Sequence, residues 1–417
     1  RRDGHEYRIE HHDERFLVLS NEDAPDFRLF ETPTETPGRS NWVEILAHEP
    51  GVRLDDVDAY ARHLVITRRR ANVPQVTVWH LESDSQVDVE FAESIFETGG
   101  GSNVEWDTNR YRFGYTSMVT PSSVFDLDVV TGEQKLLKQQ EVVGGHDPSR
   151  YVTTRLMAPA GDSTLVPVSV VRHVDTPVDN TAPALVYAYG SYETILPAGF
   201  SSARLSLLDR GFVFAMAHVR GGGELGRAWY DQGRMAHKQN TFSDTIAVVD
   251  HLAQSGWADP SRIVVRGGSA GGLLVGAILN QAPAKLAAAV AEVPFVDNVN
   301  TMLDASLPLT VTEYDEWGNP QEADAFGYMS AYSPYENVAQ IDYPPIYMTA
   351  GLNDPRVSYW EPAKWLAKLR VSATGRRRFV LRTEMGAGHG GPSGRYDSWR
   401  DEAKILAFVL DAVGISH

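Results

Sequence analysis

Residues 262–281, RIVVRGGSAGGLLVGAILNQ, decide how the rest of the chain is read. Positions 263–265 are a β-branched run that predicts a buried parallel strand. Gly267-Gly268-Ser269-Ala270-Gly271 follows, a match to G-x-S-x-G, and from Leu273 apolar residues recur around a helix as far as Gln281. Strand, tight glycine turn and helix form the setting of a nucleophile elbow, which holds a serine hydroxyl up at the carboxyl end of a sheet. Glycines at 267 and 271 let the chain turn with no Cβ in the way and leave room for substrate. An idle serine in a glycine-rich turn would also fit the pentapeptide; the flanking strand and helix favour the nucleophile.

Working outward, the chain from residue 151 opens with a hairpin (151–158 and 165–173). Strands predicted at 184–188, 212–219, 263–265, 287–293, 345–350 and 378–382 then alternate with helices at 201–208, 241–254, 273–281, 359–369 and 397–410. That alternation implies a doubly wound, mostly parallel sheet of the α/β-hydrolase kind. Ser358 with Glu361 three residues on predicts a capping box at the start of the fourth of these helices.

The first part of the chain carries no convincing helix. FLVLSNEDAPDFRLFE from Phe16, LVITRRRANVPQVTVWHLE from Leu64 and FGYTSMVTPSSVFDLDVVTGE from Phe113 repeat a strand, a polar turn and an alternating strand. A period in the high forties with about four strands per unit signals propeller blades. The expected organisation is a partial β-propeller of about three blades over 1–144 and an α/β-hydrolase domain over 145–417, with Gly144-Gly145-His146-Asp147-Pro148 at the boundary. Three blades do not close a ring of four to eight. A complementary N-terminal portion of the same protein is therefore the expected partner.

Composition narrows the function. The formal net charge of −17 argues against nucleic acid and would attract a cationic substrate. There is no cysteine, which removes disulfides and thiolate chemistry and fits a reducing, cytoplasmic setting. No apolar run approaches the ~20 residues that span a bilayer. Neither a cofactor nor a metal is expected. Gly221-x-Gly223-x-x-Gly226 matches a dinucleotide fingerprint in form, but nothing clearly supplies the ribose-binding acid. Glu10-His11-His12-Asp13 has no spaced partners and is expected to be a turn between blade strands; Arg376-Arg377-Arg378 is expected to open a strand as a solvated face.

A serine hydroxyl needs a base, and the base needs an orienting group. In such sheets the order is serine, acid, histidine. Asp354 follows the strand predicted at 345–350 and His389 the one at 378–382, so both lie in loops at carboxyl strand ends, where active-site groups gather. The expected triad is Ser269, Asp354 and His389. One oxyanion donor would be the Ala270 N–H; the HGGG loop of lipases is missing, and Tyr189 in Tyr189-Gly190-Ser191-Tyr192 offers a hydroxyl as the second.

Tyr189-Gly190-Ser191-Tyr192, Arg220-Gly221-Gly222-Gly223-Glu224-Leu225-Gly226, Gly267-Gly268-Ser269-Ala270-Gly271-Gly272 and Glu316-Trp317-Gly318-Asn319-Pro320 together resemble the prolyl oligopeptidase family, its oligopeptidase B branch most of all. The resemblance implies a serine peptidase with a propeller over an α/β-hydrolase domain, the same triad, and Tyr189 and Ala270 as the oxyanion hole. It implies that Arg356 binds a peptide carbonyl, that Glu313 receives a P1 arginine or lysine, that Asp315 and Glu316 share the acidic stretch, and that Tyr192 lines the pocket. Asp315 stands where a glutamate is expected. The expected function is an oligopeptidase cleaving short basic peptides after Arg or Lys, the propeller excluding folded proteins. The alternatives are a post-proline peptidase, disfavoured by Glu313 in place of an aromatic platform; an esterase or lipase; and an inactive scaffold.

Overall fold

The computed structural model describes residue 2 and residues 4–415 of the 417-residue chain. The chain divides into two compact units: one reaches Pro148 and also takes in Pro197–Phe200 and Gly223–Trp229, and the other holds the remainder.

The first unit is three four-stranded antiparallel sheets. They are β1–β4 (Tyr7–His12, Arg15–Ser20, Arg28–Pro33, Val43–Leu46), β5–β8 (Val52–Ala59, His63–Arg70, Val73–His80, Ser85–Asp88) and β9–β12 (Phe96–Gly100, Arg110–Ser117, Ser123–Asp128, Gln134–Gln139). The sequence repeat falls on the second strand of each, β2, β6 and β10. Alternation places successive side chains on opposite faces. Along β6, Leu64 and Ile66 pack with Leu17, Leu19 and Leu29, whereas Val65 packs with Tyr111, Phe113 and Leu127. Each sheet is thus cemented to its neighbour by every second residue. The last strands of the second and third sheets, β8 and β12, are exposed throughout. Glu10, His11 and His12 belong to β1 rather than to a turn, which begins only at Asp13 in a left-handed conformation. His12 is buried, its Nε2 3.1 Å from the Tyr60 carbonyl oxygen.

The second unit is built on one eight-stranded sheet in the order β13-β14-β16-β15-β17-β18-β19-β20. Its strands are Tyr151–Pro159, Leu165–His173, Ala184–Ala188, Val213–Ala217, Ile263–Gly268, Ala288–Glu292, Ile346–Gly351 and Phe379–Glu384. The first two pair antiparallel with each other and β14 antiparallel with β16; from β16 to β20 every pairing is parallel. The chain's helices are α1 (Ser202–Leu208), α2 (Arg227–Asp231), α3 (Gln239–Gln254), α4 (Ala270–Gln281), α5 (Asn298–Leu303), α6 (Tyr314–Trp317), α7 (Ala323–Tyr332), α8 (Trp360–Ser372) and α9 (Arg395–Ala412). The strand order reverses between β15 and β17, and such a switch point opens a crevice at the carboxyl ends of the strands. Tyr189 leaves β15 there and Ser269 leaves β17.

Two local expectations need correction. Glu361 does not cap α8: it is fully buried and accepts hydrogen bonds from the Asp297 N–H (3.0 Å) and the Thr301 hydroxyl (2.8 Å), tying α8 to α5. The three arginines at 376–378 stand before β20 rather than opening it, with Arg377 paired to Asp342 and Arg378 to Asp411. Among the described residues no helix is long and apolar enough to cross a membrane, and no three acidic or histidine side chains gather as a metal site.

Candidate active site

Ser269 sits between β17 and α4 at φ 56°, ψ −117°, a conformation that costs a non-glycine residue about 1–3 kcal/mol. Main-chain bonds hold it there. Its N–H donates to the Glu292 carbonyl (2.8 Å), and its carbonyl accepts from Gly272, Leu273 and Phe295. The glycines are required by space: a Cβ on Gly267 would lie 2.4 Å from the Gly271 carbonyl oxygen, and one on Gly272 2.4 Å from Pro294. Tyr192, Glu193 and Val293 share the positive φ of Ser269. Strain of this kind persists where the surrounding structure over-determines it, and it collects at functional sites.

Asp354 and His389 leave β19 and β20 in loops that touch: the Asn353 N–H donates to the Ala387 carbonyl (3.2 Å), and a Cβ on Gly351 would lie 2.6 Å from the Gly388 oxygen. The Asp354 side chain has no solvent exposure. Its Oδ1 accepts the Arg356 and Val357 N–H groups at 2.9 and 3.0 Å, and its Oδ2 is 2.7 Å from His389 Nδ1. An imidazole held at Nδ1 by a fully bonded carboxylate keeps Nε2 as the acceptor, the tautomer a general base needs.

Two cavities meet at Ser269. One, of about 460 Å³, is lined by Tyr189, Ser269, Arg356 and His389 and runs back along Glu292, Arg382 and Glu402. The other, of about 400 Å³, is lined by Tyr189, Tyr192, Ser269, Ala270, Arg356 and Glu313. Tyr189 borders both, and burial pushes its phenol up to about 12, so it is a hydrogen-bond donor across the neutral range. Ala270 opens α4, where a first-turn N–H has no acceptor within the helix.

The three acids expected at the pocket separate. Glu313 lines the second cavity, and the donors to its Oε2, the Tyr192 hydroxyl at 2.7 Å and Trp317 Nε1 at 2.8 Å, are neutral. Burial and this carboxylate push the Tyr192 phenol far above its ordinary range. Glu316 faces the interior instead: it accepts from the Tyr192 N–H and the Tyr230 hydroxyl and lies 3.9 Å from the Lys238 ammonium. Asp315 is exposed, outside the lining of either cavity, and its carbonyl accepts from Arg234. Glu313 closes the tight turn Thr310–Glu313, whereas Asp315 and Glu316 are neighbours within α6 and so point about 100° apart, one to solvent and one to the interior. Sequence reading missed Trp317 as a ligand of Glu313 and missed Lys238 altogether; in His237-Lys238-Gln239-Asn240 a lysine carries no signal that separates it from a solvated one.

Of the sequence decoys, Gly221 is a tight turn. At φ +95° its Cβ would fall 2.1 Å from the Gly190 oxygen, directly behind the Tyr189 loop. Neighbouring Arg220 is buried and bidentate to Asp244.

The sequence matches the model of the prolyl oligopeptidase family over residues 198–416 and that of the prolyl oligopeptidase N-terminal beta-propeller domain over residues 1–140. It is 44% identical to dipeptidyl aminopeptidase BI of Pseudoxanthomonas mexicana over 99% of this chain and 57% of that protein. It is 40% identical to protease 2 of Moraxella lacunata over 100% of this chain and 60% of that protein. Oligopeptidase B from Trypanosoma brucei, solved in a closed form with covalently bound antipain, superposes with a TM-score of 0.95 at 39% identity, over 100% of this chain and 60% of that one. The chain thus spans less than two thirds of the length of these relatives. With an α/β-hydrolase sheet, propeller blades and both family models matched, the chain belongs to the prolyl oligopeptidase family.

Proposed function

We propose that this chain carries the catalytic part of a serine oligopeptidase that cleaves peptides after arginine or lysine, with residues 1–144 as propeller and 145–417 as hydrolase. The observation that carries the specificity is the contrast between the two glutamates. Glu316 has a cation beside it, whereas Glu313 lines the cavity at Ser269 with neutral donors on it. A half-buried carboxylate whose donors are neutral rewards a guanidinium or ammonium through charge-assisted hydrogen bonds. A proline ring offers the carboxylate neither a charge nor a donor, so it gains nothing from it. This disfavours the post-proline reading.

In this mechanism His389 removes the Ser269 proton as Oγ attacks the scissile carbonyl carbon. Asp354 keeps the imidazole oriented and stabilises the imidazolium. The oxyanion is met by the Tyr189 hydroxyl and the Ala270 N–H, and Arg356 holds a peptide carbonyl beside the scissile residue. His389 then protonates the leaving amine, and water, activated by the same histidine, hydrolyses the acyl-enzyme. Exposed Tyr7 and Ile9 on the first sheet and Leu136 and Leu137 on the third favour further propeller blades as the complementary portion of the protein. The cysteine-free composition favours a reducing, cytoplasmic setting.

The likeness to a dipeptidyl aminopeptidase supports a second reading, removal of dipeptides from a free N-terminus. Both are tested by kcat/KM on matched Arg, Lys, Pro and citrulline amides, each with a free and a blocked amine two residues before the cut. Arg and Lys should exceed citrulline, the uncharged isostere, by ~100-fold, and Glu313→Gln should abolish the difference. A dependence on the free amine would select the exopeptidase reading. Equal rates on Arg and citrulline would end the acidic-pocket reading.

A further inference from the structure

Of the buried charges that this mechanism does not use, one stands directly behind the site. Lys238, immediately before α3, is fully buried. An ammonium taken out of water costs several kcal/mol unless its donors are met. Here Nζ donates to the Gly190 carbonyl at 2.5 Å and to Ser191 Oγ at 2.6 Å, lies 3.9 Å from Glu316 Oε1, and stands 5.0 Å from the centre of the Trp317 ring. Gly190 and Ser191 follow Tyr189, the proposed oxyanion donor. Glu316 and Trp317 lie on the turn that carries Glu313, and Trp317 Nε1 is bonded to the Glu313 carboxylate. Glu316 also reaches back, accepting the Tyr192 N–H at 3.1 Å, so the two loops close on each other around the ammonium.

We propose that Lys238 is a positioning residue that pins the Tyr189 loop and the Glu313 turn to one point, so that oxyanion donation and recognition of the basic side chain depend on a single buried contact. The proposal rests on the roles assigned above to Tyr189 and Glu313. Lysine suits the place because its rotatable donors can meet a carbonyl and a hydroxyl while its charge faces a carboxylate. Losing the ammonium frees the Gly190 carbonyl and leaves Glu316 buried with two neutral donors. A displacement of about 1 Å in either loop is enough to cost on the order of 100-fold in rate.

The contact is also pH-sensitive in a definite direction. Burial brings Lys238 down to about 8, opposed by Glu316, the ionisable group whose charge acts on it. The Tyr230 hydroxyl, bonded to the same carboxylate, is held well above its ordinary range and stays protonated there. Activity should therefore fall as pH rises through about 8 and the ammonium becomes an amine.

The test uses the protein at its full natural length, with Lys238→Met and the pair Lys238→Met with Glu316→Gln, which leaves no uncompensated buried charge. Thermal melting, kcat and KM on Arg and citrulline amides, and the pH profile are measured. The expected result is a folded double variant whose kcat is about 10- to 100-fold lower on both substrates. Its Arg-over-citrulline ratio should be reduced and its alkaline limb near pH 8 missing. A double variant with wild-type kcat and ratio would overturn the proposal and reduce Lys238 to a counterion for Glu316. A wild-type protein with no Arg preference would instead strike the reading of Glu313, while the kcat loss on both substrates would still test the Tyr189 arm.

Discussion

The elbow around Ser269 and the turn around Glu313 border the same cavity and are held in opposite ways. The elbow is fixed by main chain and by lack of room: carbonyl bonds on both sides of Ser269, and glycines whose Cβ atoms would collide with backbone. The turn is fixed by side chains: two carboxylates, an indole, two phenols and an ammonium in one network. A region specified by backbone sterics has almost no neighbouring solutions, so it keeps one chemistry. A region specified by side-chain charge can be retuned one residue at a time, and that is where substrate choice is expected to vary.

The largest effect should come from breaking the acid–base pair proposed to serve the elbow. In Asp354→Asn the two N–H groups on Oδ1 can still be met, but the amide presents a donor to His389 Nδ1 and favours the wrong tautomer. A kcat loss of roughly 10⁴ is expected with little change in melting temperature. Loss of tenfold or less would remove Asp354 from the proposed triad.

Next in size is a change that separates the two modes of support. Gly267→Ala puts a methyl 2.4 Å from a backbone oxygen, so backbone must shift. Overpacking of this kind costs about 1–3 kcal/mol. A lower melting temperature and loss of fluorophosphonate labelling at Ser269 are expected together. Glu313→Gln, by contrast, should keep both, since an amide oxygen still accepts from Tyr192 and Trp317. If Gly267→Ala labels and melts like the wild type, the elbow is not held by sterics and the contrast fails.

The same difference explains what could be read without coordinates. G-x-S-x-G between a β-branched run and an apolar helix was legible because each glycine answers a local demand of the turn. The loops bearing Asp354 and His389 were legible from order and strand ends. Strand β17 runs to Gly268, three residues beyond the β-branched run, because glycine pairs in a ladder as well as it turns. The acid turn was visible only through resemblance, which put Glu313 first but left Asp315 and Glu316 sharing one acidic stretch. Their separation into a cavity-lining Glu313, an exposed Asp315 and an interior Glu316 depends on where the turn Thr310–Glu313 gives way to α6 and on Lys238, which lies far away in sequence.

Glu361 gives the smallest and most discriminating prediction, because it is a side-chain contact behind the Glu313 cavity that sequence assigned to a cap. Its carboxyl holds the Asp297 N–H and the Thr301 hydroxyl, and Thr301 lines that cavity. Burial raises it from 4.5 to about 8. A carboxyl raised in the folded state contributes stability that is whole below its unfolded value and is lost as pH rises through the folded one. The wild type should therefore lose stability between about pH 4.5 and 8 from this group, while Glu361→Gln, neutral throughout, should not. The melting temperature of the variant relative to wild type should climb by a few degrees across that window, with kcat on Arg amides changed less than about threefold. A pH-independent difference would mean that Glu361 is already ionised in the folded protein, compensated beyond its two donors. The region behind Glu313 would then be charge-balanced in the way Glu316 is, and the neutrality around Glu313 itself would stand out the more sharply.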